Sequence, residues 1–527
     1  MKKILLKSIM VLACVFTFIQ CNKQLELRPL GQLTEENFFQ TEEDFESASL
    51  APYATLLSFY FDQMGNEWYQ PVLYPDDDVT VRSNETNNIE DFNWLPDNGN
   101  FRRLWEISYR GVARANTVIE HLPTATQFAD NSRKARFEGE ARFMRAYFNF
   151  ILAINWGTPP LLQGTVKTIE EAKIPNSKPG EIWDLIVSDL RFAKANLPAS
   201  YNAANTGRAT RGAATGMLGK VLLYRAQWEN KPEFYTAADA EFTSVISSGT
   251  YSLMPGFSDN FDVSKENNRE SLFEVQFALG RENNWFPNED GGGSGTGRYI
   301  MWRTAGEQGV NAPGANAEGY GFVHIVKPLQ DAFEPGDPRR IETIFMEGDP
   351  WPKATGPHTF RRAWSVTGST PSKYIRQDRS GNEVTGCQPN YTVNNERVLL
   401  YADILLMSAE CKILGPTPNL SAAAALINQV RRRADPGGTI LPDVSAALDR
   451  TQMFRALMRE RRVELALESH RYNDLVRWHR ANLINIKTDI DFGRPPANAN
   501  WTPRNLLKPI PLRDLDLNKN LSQNPGY

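Results

Sequence analysis

The chain has 527 residues, a net charge of −4 and 23% charged residues, and no stretch of it is dominated by lysine or arginine. Proteins that bind nucleic acid concentrate basic side chains on one surface, so this composition argues against nucleic acid as a partner. Only two cysteines follow residue 21, which is too few for a disulfide framework in a chain of this length.

The first 20 residues have the pattern of a secretory signal peptide, because three early lysines precede an apolar run at 9–19. This run is too short to span a membrane, which needs about 20 apolar residues. Cys21 stands directly after it and is predicted to be the acylated cysteine of a bacterial lipoprotein, with residues 1–20 removed. Several acyl chains on one residue suffice for stable anchoring. Cys14 is the competing acylation site, and a plain secreted protein with a free cysteine is the other alternative.

Apolar residues at helical spacing dominate both ends of the chain. Phe143, Tyr147, Phe150 and Ile154 recur at i, i+4, i+7 and i+11, and residues 217–228 repeat this spacing. Short turns that contain Gly or Pro join many of the helices, which favours antiparallel pairs packed as in TPR proteins, although no strict repeat is visible. Further helices are predicted at 103–121, 180–196, 233–248, 397–414, 421–434, 451–468 and 470–481.

The middle of the chain, from about 250 to 395, is rich in Gly, Pro, Asn and Trp. Its glycine-rich stretch at 288–297 predicts a mobile loop, and long loops in a compact chain are usually functional. Residues 271–277 predict a strand. Leu272 is expected on its buried side, and Val275 is a further candidate for that side. Residues 506–527 have no helical period and are predicted to pack over the helices as extended chain.

Several residues allow more than one interpretation. Cys411 lies at apolar helical spacing, which favours a buried free thiol, and a Cys387–Cys411 bridge is the alternative. Glu464 and Glu468 are four residues apart, as a catalytic acid and base on one helix face would be. Neighbouring arginines favour instead an ion-pair network that joins the C-terminal helices, because they keep such carboxylates ionised.

Metal sites and enzyme motifs receive little support from the sequence. His470, Asp474 and His479 could be metal ligands. However, His470 and Asp474 are four residues apart, and no third ligand at helical spacing completes a site with them. The acidic run at 76–78 lacks the glycine and the spacing of an EF-hand. No Walker loop, dinucleotide fingerprint, G-x-S-x-G or H-E-x-x-H motif occurs, so no cofactor is expected. A glycosidase stays open as an alternative, because two carboxylates brought together in space leave no local motif.

Six blocks of the chain, taken in order, carry a family resemblance: 33–48, 139–162, 208–228, 398–411, 459–478 and 508–527. Together they resemble the SusD/RagB family of outer-membrane nutrient-binding lipoproteins. The resemblance implies a mostly α-helical fold of degenerate TPR-type pairs with a loop-rich, partly β middle region. It divides the chain into the signal peptide, an N-terminal helical region at 21–250, a ligand-binding region at 251–395 and a C-terminal helical region at 396–527.

The same resemblance implies a function. Family members capture a glycan at the cell surface and deliver it to a SusC-like TonB-dependent outer-membrane transporter, with no catalysis of their own. The carbohydrate ligand, the transporter and the outer membrane, reached through the lipid anchor on Cys21, are therefore the expected partners. The open alternatives are a scaffold that binds peptide or protein and a lipid-anchored hydrolase.

Sugars present flat C–H faces that suit aromatic rings, and hydroxyl groups that suit Asp, Asn and Arg side chains. Two segments, 74–100 and 285–322, have this composition, and the resemblance places ligand contacts in both. Within each segment, the alternative is that every ring packs beneath its own loop. The candidate ligand-binding residues are Asp77, Arg82, Trp94, Asn98, Trp285, Trp302 and Tyr320.

Overall fold

The computed structural model describes residues 38–60, 69–81, 89–125, 127–128, 130–277, 323–351, 358–373, 394–489 and 500–527. The described part of the chain is mostly helical, with short strands in its middle region, as the sequence predicts. The α-helices are α1 Glu42–Ala48, α2 Leu50–Tyr60, α3 Tyr69–Val72, α4 Gly99–His121, α5 Asn131–Trp156, α6 Glu181–Asn196, α7 Arg211–Trp228, α8 Glu233–Ser247, α9 Lys327–Ala332, α10 Arg339–Thr343, α11 Tyr401–Leu414, α12 Leu420–Ala434, α13 Arg450–Glu464, α14 Arg471–Arg480 and α15 Leu512–Leu517. The strands are β1 Val79–Val81, β2 Ser271–Val275, β3 Val323–Ile325, β4 Ile344–Met346, β5 Pro350–Trp351, β6 His358–Thr359, β7 Ser369–Pro371 and β8 Glu396–Leu400.

Neighbouring helices pack in chain order, so that α4 contacts α5, α5 contacts α6, α6 contacts α7 and α7 contacts α8. The array continues across the middle region, because α8 packs on α11 and α11 packs on α12. Polar side chains begin these helices by accepting backbone N–H groups, for example Asp130 at α5 and Thr210 at α7. This arrangement agrees with the predicted pairs of antiparallel helices.

Small residues set how closely the helices approach each other. At Gly111 in α4, a Cβ atom would lie 2.3 Å from the Phe148 ring of α5, and at Gly219 in α7 it would lie 2.6 Å from the Phe242 ring of α8. Both distances are well inside van der Waals contact, so a side chain at either position would force the helices apart. The α5 helix is consequently buried on nearly all sides from Phe137 onward, not only on the predicted apolar face.

The predicted strand at 271–277 is present as β2, which pairs antiparallel with β8. Leu272 and Val275 are buried as expected, and Phe273 and Glu274 are buried as well, because both faces of β2 are covered. The stretch predicted as a helix from 397 is a strand to Leu400, and α11 begins only at Tyr401. In this case, pairing with β2 outweighs the helical spacing of the apolar residues.

The C-terminal segment packs across the ends of the N-terminal helices, as predicted. The Lys508 N–H donates to the Asn155 carbonyl at 2.7 Å, and the Trp156 indole N–H donates to the Pro509 carbonyl at 2.9 Å. The Asn524 side-chain amide in turn donates to the Trp156 carbonyl at 3.2 Å. The segment is not entirely extended, because the short helix α15 interrupts it.

One hydrophobic core joins residues from the N-terminal, middle and C-terminal parts of the chain, and it includes Trp94, Trp156, Phe273 and Trp478. Cys411 lies in this core as a free thiol, which confirms the default interpretation of that residue, whereas Cys387 lies outside the described residues. In the described ranges, no helix combines the length and apolarity that crossing a bilayer requires.

Buried ion pairs hold the C-terminal helices to the rest of the fold. Arg477 of α14 contacts Glu410 of α11 at 2.8 Å and Asp474 at 2.7 Å. Arg461 of α13 contacts Asp403 of α11 at 2.8 Å and shares Asp474 at 3.0 Å. The predicted ion-pair network is therefore present, and it lies within the core.

Replacing Arg477 by Met should lower the free energy of unfolding by about 3–5 kcal/mol, because the buried Glu410 carboxylate would lose its counter-ion and Asp474 would keep only Arg461. Urea unfolding followed by circular dichroism measures this change. Arg455→Met is the matched control, since Arg455 is 48% exposed and pairs with Asp489 at 3.3 Å. The control should lose about 0–1 kcal/mol. Equal losses in the two variants would contradict the importance of the buried network.

Candidate functional site

The first predicted binding segment, 74–100, contains β1, which pairs with β3. In this antiparallel pair, Val79 faces Ile325, Thr80 faces His324 and Val81 faces Val323. β3 begins directly after the second predicted segment, 285–322, which lies outside the described residues. The pairing therefore holds the chain that follows the second segment beside a strand of the first, although the two are far apart in sequence.

Acidic residues just before β1 anchor this edge to the C-terminal helices. Arg471 of α14 binds both carboxylate oxygens of Asp77, at 2.6 and 2.8 Å, in a bidentate pair. Arg462 of α13 donates to Asp78 at 2.7 Å and also reaches Asp77 at 3.3 Å. Burial by itself would raise the pKa of Asp77, but Arg471 and Arg462 outweigh it and hold that pKa below its usual range.

Asp77 is therefore a structural anchor and not an exposed ligand contact, because only 7% of its side chain is accessible and both oxygens are occupied. Within the acidic run at 76–78, Arg471 and Arg462 hold the carboxylates of Asp77 and Asp78, which are two of the three that a calcium ion would use. In the described ranges, no group of three or more His, Cys, Asp or Glu side chains is arranged to hold a metal ion.

The expectation that Trp94 presents an exposed ring is not met. Its side chain is 1% exposed, and its indole N–H donates to the Ile89 carbonyl at 2.9 Å. The ring packs edge-on against Phe101 and Tyr472, with centroids 5.3 and 6.0 Å apart. A left-handed residue, Phe92 with φ of 58°, turns the loop inward ahead of it. Trp94 therefore follows the alternative interpretation, in which the ring is buried beneath its own loop.

Asn98 has a local role in the structure. Its side-chain oxygen accepts the backbone N–H groups of Asn100 and Phe101 at 3.0 and 3.2 Å, which makes it the N-cap of α4. The cap fixes where the first long helix begins, and it uses the amide oxygen that a sugar hydroxyl would need. The remaining candidates, Arg82, Trp285, Trp302 and Tyr320, lie outside the described residues, as does Cys21.

Behind Trp94 lies a lysine that sequence reasoning missed. The Lys508 ammonium group lies 5.6 Å from the Trp94 ring centroid, 5.8 Å from that of Phe101 and 6.0 Å from that of Tyr472. It donates to the Asn155 side-chain oxygen, and burial lowers its pKa to about 7. Only the block "KPIPL" marks this residue in the sequence, and nothing in that block predicts an aromatic enclosure.

The possible acid–base pair of Glu464 and Glu468 does not share a helix face. The α13 helix ends at Glu464, and left-handed residues at Leu467 and Ser469 break the helical register. Glu464 contacts Arg339 at 3.0 Å and also pairs with Arg433. Burial would raise the pKa of Glu464, but these two arginines outweigh it and lower that pKa.

Glu468 is held separately, by Lys373 at 2.6 Å, and its pKa is raised because burial outweighs this partner. The expected arginine partners are therefore found for Glu464 alone, because the partner of Glu468 is a lysine. Each side chain is almost fully inaccessible, so neither carboxylate can reach a substrate. For His470, burial and the charge of Lys220 lower the pKa to about 3, so its imidazole is neutral.

Comparisons with known proteins agree with the fold. Residues 263–527 match the model of the SusD family, and residues 57–223 match a family described as starch-binding and associating with the outer membrane. A SusD-like protein, P25 of Formosa agariphila, is 24% identical over 550 residues, which cover 97% of this chain and 98% of the relative.

Solved structures have the same architecture. A SusD homologue from Bacteroides thetaiotaomicron superposes with a TM-score of 0.76 at 23% identity, covering 94% of this chain and 98% of the homologue. A laminarin-binding SusD-like protein superposes with a TM-score of 0.74 at 25% identity, covering 93% of this chain and all of that protein.

Because Trp94 is a core residue, Trp94→Ala should lower the free energy of unfolding by about 3–5 kcal/mol. Trp94→Phe should lose less, since it keeps a ring between Phe101 and Tyr472. Thermal and urea unfolding followed by circular dichroism measure both losses. A Trp94→Ala protein with unchanged stability would show that the ring is not packed as described.

Proposed function

Because the chain belongs to the SusD family, we propose that it is a surface lipoprotein that binds glycans and delivers them to a SusC-like TonB-dependent transporter. The observation that carries the glycan-binding part is the pairing of β1 with β3. This pairing holds a strand of segment 74–100 beside the strand that follows segment 285–322. Both segments combine aromatic and polar residues, which is the composition that recognition of sugars requires. The similar structure of a laminarin-binding protein supports the same class of ligand.

The base beneath these segments is rigid, which suits a receptor. Asp77 and Asp78 tie the start of β1 to α13 and α14, and Trp94 fills the core behind it. A binding loop that extends from a fixed base loses less conformational freedom on binding its ligand, so more of the contact energy contributes to affinity. Within this proposal, Arg82, Trp285, Trp302 and Tyr320 are the ligand contacts.

The membrane part of the proposal rests on Cys21 and on the description of the matched family as associating with the outer membrane. Acylation of Cys21 would anchor the mature chain, and the chain would then lie beside its transporter. A second candidate, a scaffold that binds only protein, is supported by the TPR-like pairing of α4 to α8. We propose binding without catalysis, because Glu464 and Glu468 are sealed in the core.

Single changes at Trp285 and Trp302 test the glycan site. After an array of poly- and oligosaccharides has identified a binding glycan, each Trp→Ala variant should weaken binding by about 1–3 kcal/mol, the cost of losing a central aromatic contact. Isothermal titration calorimetry measures the affinity, and the melting temperature should stay unchanged. Trp228→Ala is the control, since Trp228 packs against Trp183 in the helical array.

Two results would count against this proposal. If neither loop variant changed the affinity for the glycan, the site would lie elsewhere. If the array showed no binding while the protein still co-purified with a transporter, the protein-binding scaffold would be favoured.

Cys21→Ser should release the protein from the membrane fraction, because the thiol that takes the lipid would be missing. Fractionation of cells that express the full chain, followed by immunoblotting, measures this release. Cys14→Ser is the matched control and should stay in the membrane fraction. Release of the Cys14 variant instead would move the acylation site to Cys14.

A further inference from the structure

A polar cleft of about 330 Å³ lies between the α6–α7 connection and the start of β2. One wall comes from residues 199–210, and the other comes from residues 250–251 and 267–274. None of its lining residues belongs to the two predicted binding segments, and the described ranges contain all of them. Its volume is at the lower end of the range of about 300–1,000 Å³ that is typical of small-molecule sites.

Two tyrosine rings in the walls are held in place from behind. The Tyr201 hydroxyl donates to the buried Glu140 carboxylate at 3.1 Å, and the Tyr251 hydroxyl lies 3.2 Å from the Thr210 hydroxyl. Both rings are half-buried, so each keeps part of its surface toward the cleft. The floor is apolar, since Phe273 lies beneath the cleft and its ring centroid is 5.1 Å from that of Phe143.

The rim supplies amide groups that the chain itself holds in place. Asn267 and Gln276 exchange two hydrogen bonds, at 2.8 and 2.9 Å, which fixes the plane of the Asn267 amide. The Asn268 side-chain oxygen accepts the Glu270 N–H at 2.8 Å. An amide group has two donor hydrogens and two acceptor lone pairs, so the Asn267 amide retains one of each for a ligand hydroxyl. The Asn268 NH2 group already donates to the Asn260 side chain at 3.3 Å and to the Lys265 carbonyl at 3.0 Å, so Asn268 can only accept from a ligand, through its oxygen.

Arg269 adds an exposed cation to the rim. One of its N–H groups donates to the Leu253 carbonyl at 3.2 Å, and among the described residues it forms no ion pair. By contrast, Arg208 at the back of the cleft is neutralised by Glu140 at 2.7 Å and by Glu46. The remaining donors of Arg269 form a planar fork, which can bind two neighbouring hydroxyl groups.

We propose that this cleft is a second carbohydrate-binding site, which takes a terminal mono- or disaccharide unit. Rings held along the walls, fixed amides at the rim and an unpaired guanidinium group are the side chains that a polyhydroxylated ring requires. This inference rests on the proposed function and adds a second point of contact with a glycan. Two linked contacts on one polymer would raise the overall affinity beyond that of either site.

Calorimetric titration of the full mature chain with laminarihexaose, cellohexaose, xylohexaose and an oligogalacturonate tests the proposal. At least one of these probes should bind at two sites on the wild-type protein. Thr250→Trp fills the cleft from one wall and should leave a single site. Ser200→Trp fills it from the other wall and should have the same effect. Arg269→Ala should weaken the cleft site about tenfold, the usual cost of losing a charged hydrogen bond.

Thr168→Trp and Arg513→Ala are the matched controls, because both residues are exposed and neither lines the cleft. Both controls should keep two sites, and each variant should keep the melting temperature of the wild type. Hydrogen exchange with the probe present should protect residues 199–210 and 250–274, and this protection should disappear in Thr250→Trp.

The possible failures are distinguishable. If one site binds the probe and neither cleft variant alters it, the second site does not exist and the proposed function stands. If neither these probes nor any glycan of the array binds, the proposed function and the second site both fail. Protection of the cleft by a peptide mixture but by none of the sugars would overturn the carbohydrate assignment of the cleft alone.

Discussion

The fold depends on a requirement that buried charges be paired. The C-terminal helices bring several arginines into the core, where an unpaired guanidinium group would be very costly. Each of these arginines meets an acid from another element: Arg477 meets Glu410, Arg461 meets Asp403 and Arg471 meets Asp77. Displacing one helix by a single turn would separate several of these pairs at once. The pairs therefore determine the order in which the helices pack, whatever their net contribution to stability.

The same requirement links the scaffold to the binding segments. Arg471 and Arg462 reach across the sequence to the acids that precede β1, and β1 in turn pairs with β3. The position of the β1–β3 pair is thus determined in part by charges in α13 and α14. These C-terminal helices are far in sequence from the two predicted binding segments.

The helices could be predicted from the sequence because local apolar spacing specifies them, as it does in α5 and α7. Features that depend on partners far apart in sequence could not be predicted. Residues 397–400 form a strand because β2 lies beside them. The α13 helix ends at Glu464, where the distant Lys373 donates to the Glu464 and Ala466 carbonyls and pairs with Glu468. Asp77 is a residue type that is expected to contact a sugar. Only its ion pair with the distant Arg471 shows that it is a structural anchor.

Trp94 shows why an aromatic residue on a loop is a weak indication of a sugar site. An exposed indole N–H can donate to water, whereas a buried one needs an acceptor from the protein. The loop supplies that acceptor five residues earlier, at the Ile89 carbonyl, and Asn505 ties the same loop down by donating to the Phe92 carbonyl at 3.0 Å. The short sequence between Ile89 and Trp94 therefore determines that the ring points inward. Tyr201 and Tyr251 show a different arrangement, because their hydroxyl groups are held while part of each ring stays uncovered. The partner of the polar atom, more than the type of ring, decides which aromatic residues remain free to meet a ligand.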